Sequence, residues 1–300
     1  MSALHSDHTP ASMLEPAIQL LPAGRFTVEE LTAAYNQTRV DYLVPMPMNA
    51  ARLAAYLDVY DVNLDDSLVA VEGEQILGLG MLGARANRAW ITRLGVLPVR
   101  RRRGTGEAIM RGLLAAARRA RAGRVILEVI KGNVPAYTLF HKLGFVDTRE
   151  LLVLRRPPAQ PALESGRQVT WMDQGDALKT LRALLQSQGS ACRLAWTNEP
   201  ESFENGGDGM GLAVHLENGG RGWMIFRRQK MLLSHFIFHT EAGDPVEVAE
   251  ALLAHLYQRF PEMDTYIENL AADDVHLPAL AKFGFIEAFR RIEMEQVWAV

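Results

Sequence analysis

The feature that most constrains how this chain can fold is that it repeats itself. Leu139-Phe-His-Lys-Leu-Gly-Phe145 is matched by Ala279-Leu-Ala-Lys-Phe-Gly-Phe285, so Gly144 and Gly284 stand 140 positions apart. The segments ahead keep that offset, with Ile126-Leu-Glu128 opposite Tyr266-Ile-Glu268. An apolar strand, a glutamate, a helix and a Gly-Phe ending, carried at one offset without a gap, point to one structural unit used twice. The length of 300 residues is comfortable for two cores of ordinary size. Between the copies runs Arg155-Arg-Pro-Pro-Ala-Gln-Pro-Ala162, whose three prolines deny it both helix and ladder hydrogen bonds and make it a linker. The expected units are therefore residues 17–156 and 167–300.

The first unit reads as mixed α/β. Helices are expected over Val28–Asn36 and Ala50–Asp58, the second entered through Asn49, a good N-cap. Strands over Ser67–Glu72 and Gln75–Leu82 form a hairpin about Gly73, and Ala89–Val96 forms a further strand. Helix Thr105–Ala122, strand Arg124–Ile130, helix Val134–Leu143 and strand Thr148–Arg155 complete the unit. Ile109, Leu113, Ala116 and Ala120 lie on one face of the first of these helices, and Gly123 is placed to cap its end.

Chemistry concentrates between Trp90 and Met110. A strand ends near Val96, Pro98 stops it, and a basic glycine turn opens the helix at Thr105. Gly104 and Gly106 let backbone approach a ligand closely, and the helix start adds unpaired N–H donors and the positive end of its dipole. Arg100 to Arg103 bring charge to the same place. Such a turn suits a pyrophosphate. Four arginines also fit a solvated turn or a nucleic-acid patch, but the glycines stand where a strand becomes a helix. The Gly-Lys-Ser/Thr of a Walker A loop is absent. A dinucleotide fingerprint is a closer rival, yet Ile109 stands at its third glycine and Glu128 falls in mid-strand.

Arg101-Arg-Arg-Gly-Thr-Gly106 resembles the Gln/Arg-x-x-Gly-x-Gly/Ala acyl-CoA motif of the GNAT superfamily of N-acetyltransferases. Leu127-Glu-Val129, Asn133, Pro135-Ala136 and Leu139 to Phe145 follow in that family's order, so the likeness covers roughly residues 90 to 145. The resemblance implies a mixed, mostly antiparallel central sheet flanked by helices, here repeated twice as in mycothiol synthase. It implies acetyl-CoA as acyl donor, no metal, and direct transfer to a primary amine on a small molecule or peptide. Leu94, Gly95 and Val96 would offer strand-edge backbone to the pantetheine arm. Arg101, Arg102, Arg103, Gly104, Thr105, Gly106 and Glu107 would cradle the pyrophosphate. Asn133 and Phe140 would also meet the donor. Glu128 stands where several members keep a general base, though a carboxylate that only orders its neighbours is an equal reading. Many members place a thiolate-protonating tyrosine where Phe140 stands; Tyr137, three residues earlier, is the available substitute or a packed helix tyrosine.

At the 140 offset, Gly104 and Gly106 meet Asp244 and Val246, and Asn133 meets Asp273. Acid where a phosphate would lie is electrostatically hostile, so the second unit is expected to keep the fold without a donor site. It would then shape the acceptor pocket or complete a pseudo-dimer. His235 and His239 read as ordinary strand positions, while Tyr42, Met46 and Met48 could line an acceptor site or pack a loop. Net charge is −3 with acid and base nearly balanced, which gives no bias toward nucleic acid or membrane. One cysteine, Cys192, excludes an internal disulfide. Met1 to Glu15 is polar and lacks the pattern of a secretory signal, so a cytoplasmic protein, monomer or homodimer, is expected. A non-catalytic acyl-CoA-binding or sensing protein remains the alternative, and a nucleic-acid module a weaker one.

Overall fold

The computed structural model describes residues 18–159, 168–189 and 192–298. The N-terminal tail and the end of the proline linker lie outside them. The first unit runs β1 (Gln19–Pro22), α1 (Val28–Gln37), α2 (Ala50–Val59), β2 (Val62–Glu72), β3 (Gln75–Arg85), β4 (Arg88–Val96), α3 (Thr105–Arg119), β5 (Arg124–Ile130), α4 (Val134–Lys142) and β6 (Val146–Arg156). The second runs β7 (Gln168–Met172), α5 (Gln174–Gln188), α6 (Pro200–Gly206), β8 (Gly209–His215), β9 (Arg221–Arg228), β10 (Leu232–Ala242), α7 (Pro245–Arg259), β11 (Asp264–Ala271), α8 (Leu277–Lys282) and β12 (Ile286–Val297). No helix among the described residues is long and apolar enough to cross a membrane.

Local chemistry accounts for the boundaries. Thr27 and Glu30 form a reciprocal capping box at α1, and the Asn49 side chain accepts from Arg52 N–H at α2, as its position suggested. Helix α3 stops at Arg119, three residues short of the expected end. Arg121 takes a left-handed φ of 57°, and the Gly123 N–H turns to the Asn87 carbonyl instead of capping the helix. Ala120 is consequently exposed, and the buried face is Ile109, Leu113, Ala116 and Ala117. It covers β2 and β3 in a core that includes Leu77, Leu82 and Leu127. Each such leucine contributes about 2 kcal/mol of burial.

The described strands form one twelve-stranded sheet in the order β1-β2-β3-β4-β5-β12-β6-β11-β10-β9-β8-β7. The proline linker divides the chain but not the sheet. Strand β6, last in the first unit, pairs with β11, and β12, last in the second, pairs with β5. Each unit thus lends its final strand to the other, and β6 and β12 pair antiparallel at the centre.

Most neighbours are antiparallel, with two parallel contacts. β4 and β5 pair from Arg88/Arg124 to Ile91/Leu127 and then part; β10 and β11 pair only from Leu232/Asp264 to Ser234/Tyr266. Just beyond each contact the outer strand bulges, at Arg93 in β4 and His235 in β10, both with φ of 56°. The left-handed backbone costs on the order of 1 kcal/mol at a non-glycine residue and re-aims the side chain. Buried Arg85 bonds Asp61 in its own unit and, across the units, Glu199, Ser202 and the Trp196 carbonyl, while Trp196 stacks on Trp90 at 5.8 Å.

Candidate functional site

The glycine turn presents a helix start with its donors free. Gly104 is the N-cap of α3 with φ 81°, a conformation that glycine adopts without strain, and it supplies no side-chain cap. A side chain there would point into open space, so conformation rather than crowding selects glycine. The Thr105 hydroxyl beside it is buried without a hydrogen-bond partner. Arg102 and Arg103 are exposed and form no ion pair among the described residues. An uncapped helix start, an orphaned hydroxyl and two unpaired cations in one exposed turn fit a phosphate ligand.

The other two arginines of the run do different work. Arg100 pairs with Glu72. Arg101 grips Asp41 through two 2.7 Å bonds and also donates to the Thr38 and Val96 carbonyls. Its guanidinium therefore pins the turn to the end of α1. Glu107 likewise is held by Lys142 and Arg111, which keep its carboxyl below the usual range.

Leu94, Gly95 and Val96 lie where β4 has left β5, so one edge of the strand is unpaired by sheet. That edge is not bare: Arg39 donates to the Leu94 carbonyl at 3.1 Å and Arg101 to that of Val96. Gly95 is required by close approach, because a Cβ there would stand 2.3 Å from the Thr38 hydroxyl. Asn133 is the N-cap of α4 and lies 3.4 Å from the Tyr42 hydroxyl. It lines a small cavity in the splay with Leu94, Glu128 and Phe140.

Glu128 is the first β5 residue past the parallel contact. Trp90 Nε1 donates to one carboxyl oxygen at 2.7 Å, and the other is buried with no partner. Burial chiefly, with Glu293 opposite on β12 and Glu268 adding, pushes its pKa up to about 7, against the opposing Trp90 hydrogen bond and Arg291 charge. A carboxyl poised there can hold or release a proton near neutrality.

Beside it opens a cavity of about 380 Å³ lined by both units. Tyr42, Met46 and Met48 reach it from the first unit. Glu268 and His235 reach it from the second, so the two repeated glutamates and the two bulged residues Arg93 and His235 share one chamber. His235 is more than an ordinary strand residue: its ring bridges the Ser234 hydroxyl at 2.8 Å and Tyr60 at 2.9 Å, and burial lowers its pKa to about 4. Burial would raise the pKa of Glu268, but Arg291, bonded at 2.8 Å, and His235 hold it below the usual range.

Tyr137 is not brought to this chamber. It lines neither cavity, and its hydroxyl donates to Asp147 at 2.7 Å, a contact that raises its pKa. In the second unit the turn before α7 shrinks to Gly243-Asp244, and the Asp244 carboxylate accepts from Val246 and Glu247 N–H. The helix start that is open in the first unit is closed by its own anion in the second. Repetition gave a signal for Glu268; nothing in the sequence marked Arg93, Trp90 or Arg291, whose roles depend on contacts across strands.

Residues 30–145 match the model of the acetyltransferase (GNAT) family. Solved structures extend the likeness of fold over nearly the whole chain. A tandem GNAT protein from the clavulanic acid biosynthesis pathway is 15% identical with TM-score 0.63, covering 95% of this chain and 99% of that one. A Pyrococcus horikoshii protein classed as an acetyltransferase is 16% identical with TM-score 0.64, covering 99% and 94%. A GCN5-related N-acetyltransferase from Sphaerobacter thermophilus is 15% identical with TM-score 0.62, covering 93% and 95%. A search of curated proteins finds no significant match. Residues 30–145 are thus similar to a GNAT-family acetyltransferase domain, and the chain as a whole shares the fold of tandem GNAT proteins.

Proposed function

We propose that the chain transfers an acetyl group from acetyl-CoA to a primary amine, directly and within a ternary complex. The observation that carries this reading is Glu128: a carboxyl with one enclosed, orphaned oxygen and a pKa of about 7, standing where β4 and β5 part and facing a chamber large enough for a small acceptor. The donor supplies a thioester carbonyl. The Gly104–Gly106 turn with Thr105, Arg102 and Arg103 would hold its pyrophosphate, and Asn133 would meet it in the splay. Glu128 takes the proton that the ammonium must lose to become a nucleophile, either itself or through one water. The second unit holds no donor on this reading. It supplies the far wall of the acceptor chamber.

Calorimetric titration of acetyl-CoA into wild type and Gly104→Asp tests the donor site. Aspartate tolerates the left-handed φ better than most residues and would place a negative charge beside the N–H groups that open α3. One site per chain in the wild type and none in the variant is expected. Binding unchanged by the substitution would refute the placement. Binding without free thiol release over a panel of amines would instead describe an acyl-CoA-binding protein.

A further inference from the structure

The chamber carries an imbalance of charge that acetyl transfer alone does not use. Five arginines line it (Arg39, Arg52, Arg93, Arg227 and Arg291), against the glutamates Glu128 and Glu268. Arg227 is neutralised by Asp208, and Arg291 by Glu268. Arg39, Arg52 and Arg93 form no ion pair among the described residues; Arg93 feels the charge of Glu268, but that carboxylate is already bonded to Arg291.

Arg93 is the most constrained of the three. It is half-buried, its Nε is shut away from solvent with no partner, and it donates to the Tyr35 hydroxyl at 3.1 Å. Its guanidinium lies 4.2 Å from the centre of the Tyr56 ring and 5.4 Å from that of Tyr35. Arg39 stacks on the same Tyr35 ring at 4.2 Å, and its Nε is orphaned as well. Ring faces and phenol oxygens stabilise a half-buried cation only in part, and two like charges sharing one ring repel. Unpaired donors held in place around a cavity are the arrangement that an entering anion completes. The bulge at Arg93 holds the side chain here at a cost in backbone strain.

The acidic base and the cations stand close together. Arg93 follows Thr92 on β4, Glu128 faces the same chamber from β5, and Tyr56, bonded to Thr92 at 2.6 Å, feels the charge of both. We propose that the acceptor is a small amine carrying an anionic group, a carboxylate or phosphate, which Arg93 receives with Arg39 while the amine turns to Glu128. This rests on the acetyltransferase reading for its amine end, but not for its anion end. Amines whose other groups are cationic are disfavoured, because three unpaired arginines meet them.

Matched amines that differ only in the remote group test the idea: 4-aminobutyrate against 4-aminobutanamide, and 2-aminoethyl phosphate against ethanolamine. Thiol release is followed in wild type, Arg93→Gln and Arg93→Gly, the glycine variant being compatible with the left-handed backbone. At least a tenfold higher kcat/KM for the anionic member is expected in the wild type, with the preference abolished in either folded variant. Equal or reversed preference overturns the proposal, as does an Arg93 substitution that lowers both members of a pair equally. Anion binding is also read without turnover, from the melting temperature in succinate or inorganic phosphate with CoA present. A stabilisation lost in the Arg93 variants supports the site even if no amine is acetylated, in which case only the transferase reading fails. A stabilisation that is absent, or indifferent to Arg93, overturns it.

Discussion

Replacing Glu128 by glutamine separates its burden on the fold from its use in chemistry. The carboxyl has a folded pKa of about 7 against 4.5 for the free side chain. A raised folded pKa means that stability is fully present below the unfolded value and is lost as pH rises through the folded one. At pH 8 ionisation in place costs roughly 3 kcal/mol, most of it lost between pH 5 and pH 8. Glutamine carries no such term. Its carbonyl can still accept from Trp90 Nε1, but its amide places donors where the carboxyl oxygen had no partner, a constant penalty of about 1 kcal/mol. The variant is therefore expected to be slightly less stable than wild type at pH 5 and more stable at pH 8, by about 2 kcal/mol or some 4 °C in Tm. Thermal unfolding of both proteins across this range reads the difference free of the constant term. Acetyl transfer at pH 8 should fall by about 100-fold or more, the usual contribution of a general base. Stability curves that run parallel across pH would refute the enclosed, poised carboxyl. Activity retained within a few-fold would refute the base.

Two further substitutions probe the same chemistry. Trp90→Phe removes the hydrogen bond that lowers the Glu128 pKa, so the alkaline rise of kcat/KM should move to higher pH; an unmoved pH profile would show that the bond does not tune the carboxyl. Tyr137→Phe should leave kcat within about twofold, because its hydroxyl is committed to Asp147 outside both cavities. A loss of 100-fold would restore it as the acid that serves the leaving thiolate.

Features that depend on a few consecutive residues were legible before the fold. The Asn49 cap, the hairpin about Gly73 and the strand-to-helix turn at Gly104 each rest on one local conformation, and each stands as the sequence suggested. Glu128 and Asn133 were marked by motif order. Arg101 was read into the phosphate cradle by the same order, yet its partner Asp41 lies 60 positions away and turns it into a brace. Tyr137 was a substitute by proximity on a helix, and only the position of Asp147 shows where its hydroxyl points.

The sequence by itself determined two copies of one unit, the element order of the first, and which copy keeps an uncapped helix start. Those properties follow from backbone preference and short-range spacing, which a chain carries in any context. Tertiary structure alone decided that β6 and β12 change places, because either unit's final strand could close either edge and the pairing energy is set by partners far apart in the chain. That exchange makes one sheet of two, turns both parting strand pairs toward one chamber, and brings Arg93, Glu128, His235 and Glu268 together. The pKa of Glu128 follows from the same assembly, since burial and the Glu293 charge reach it across β12, a strand that the sequence assigns to the other half.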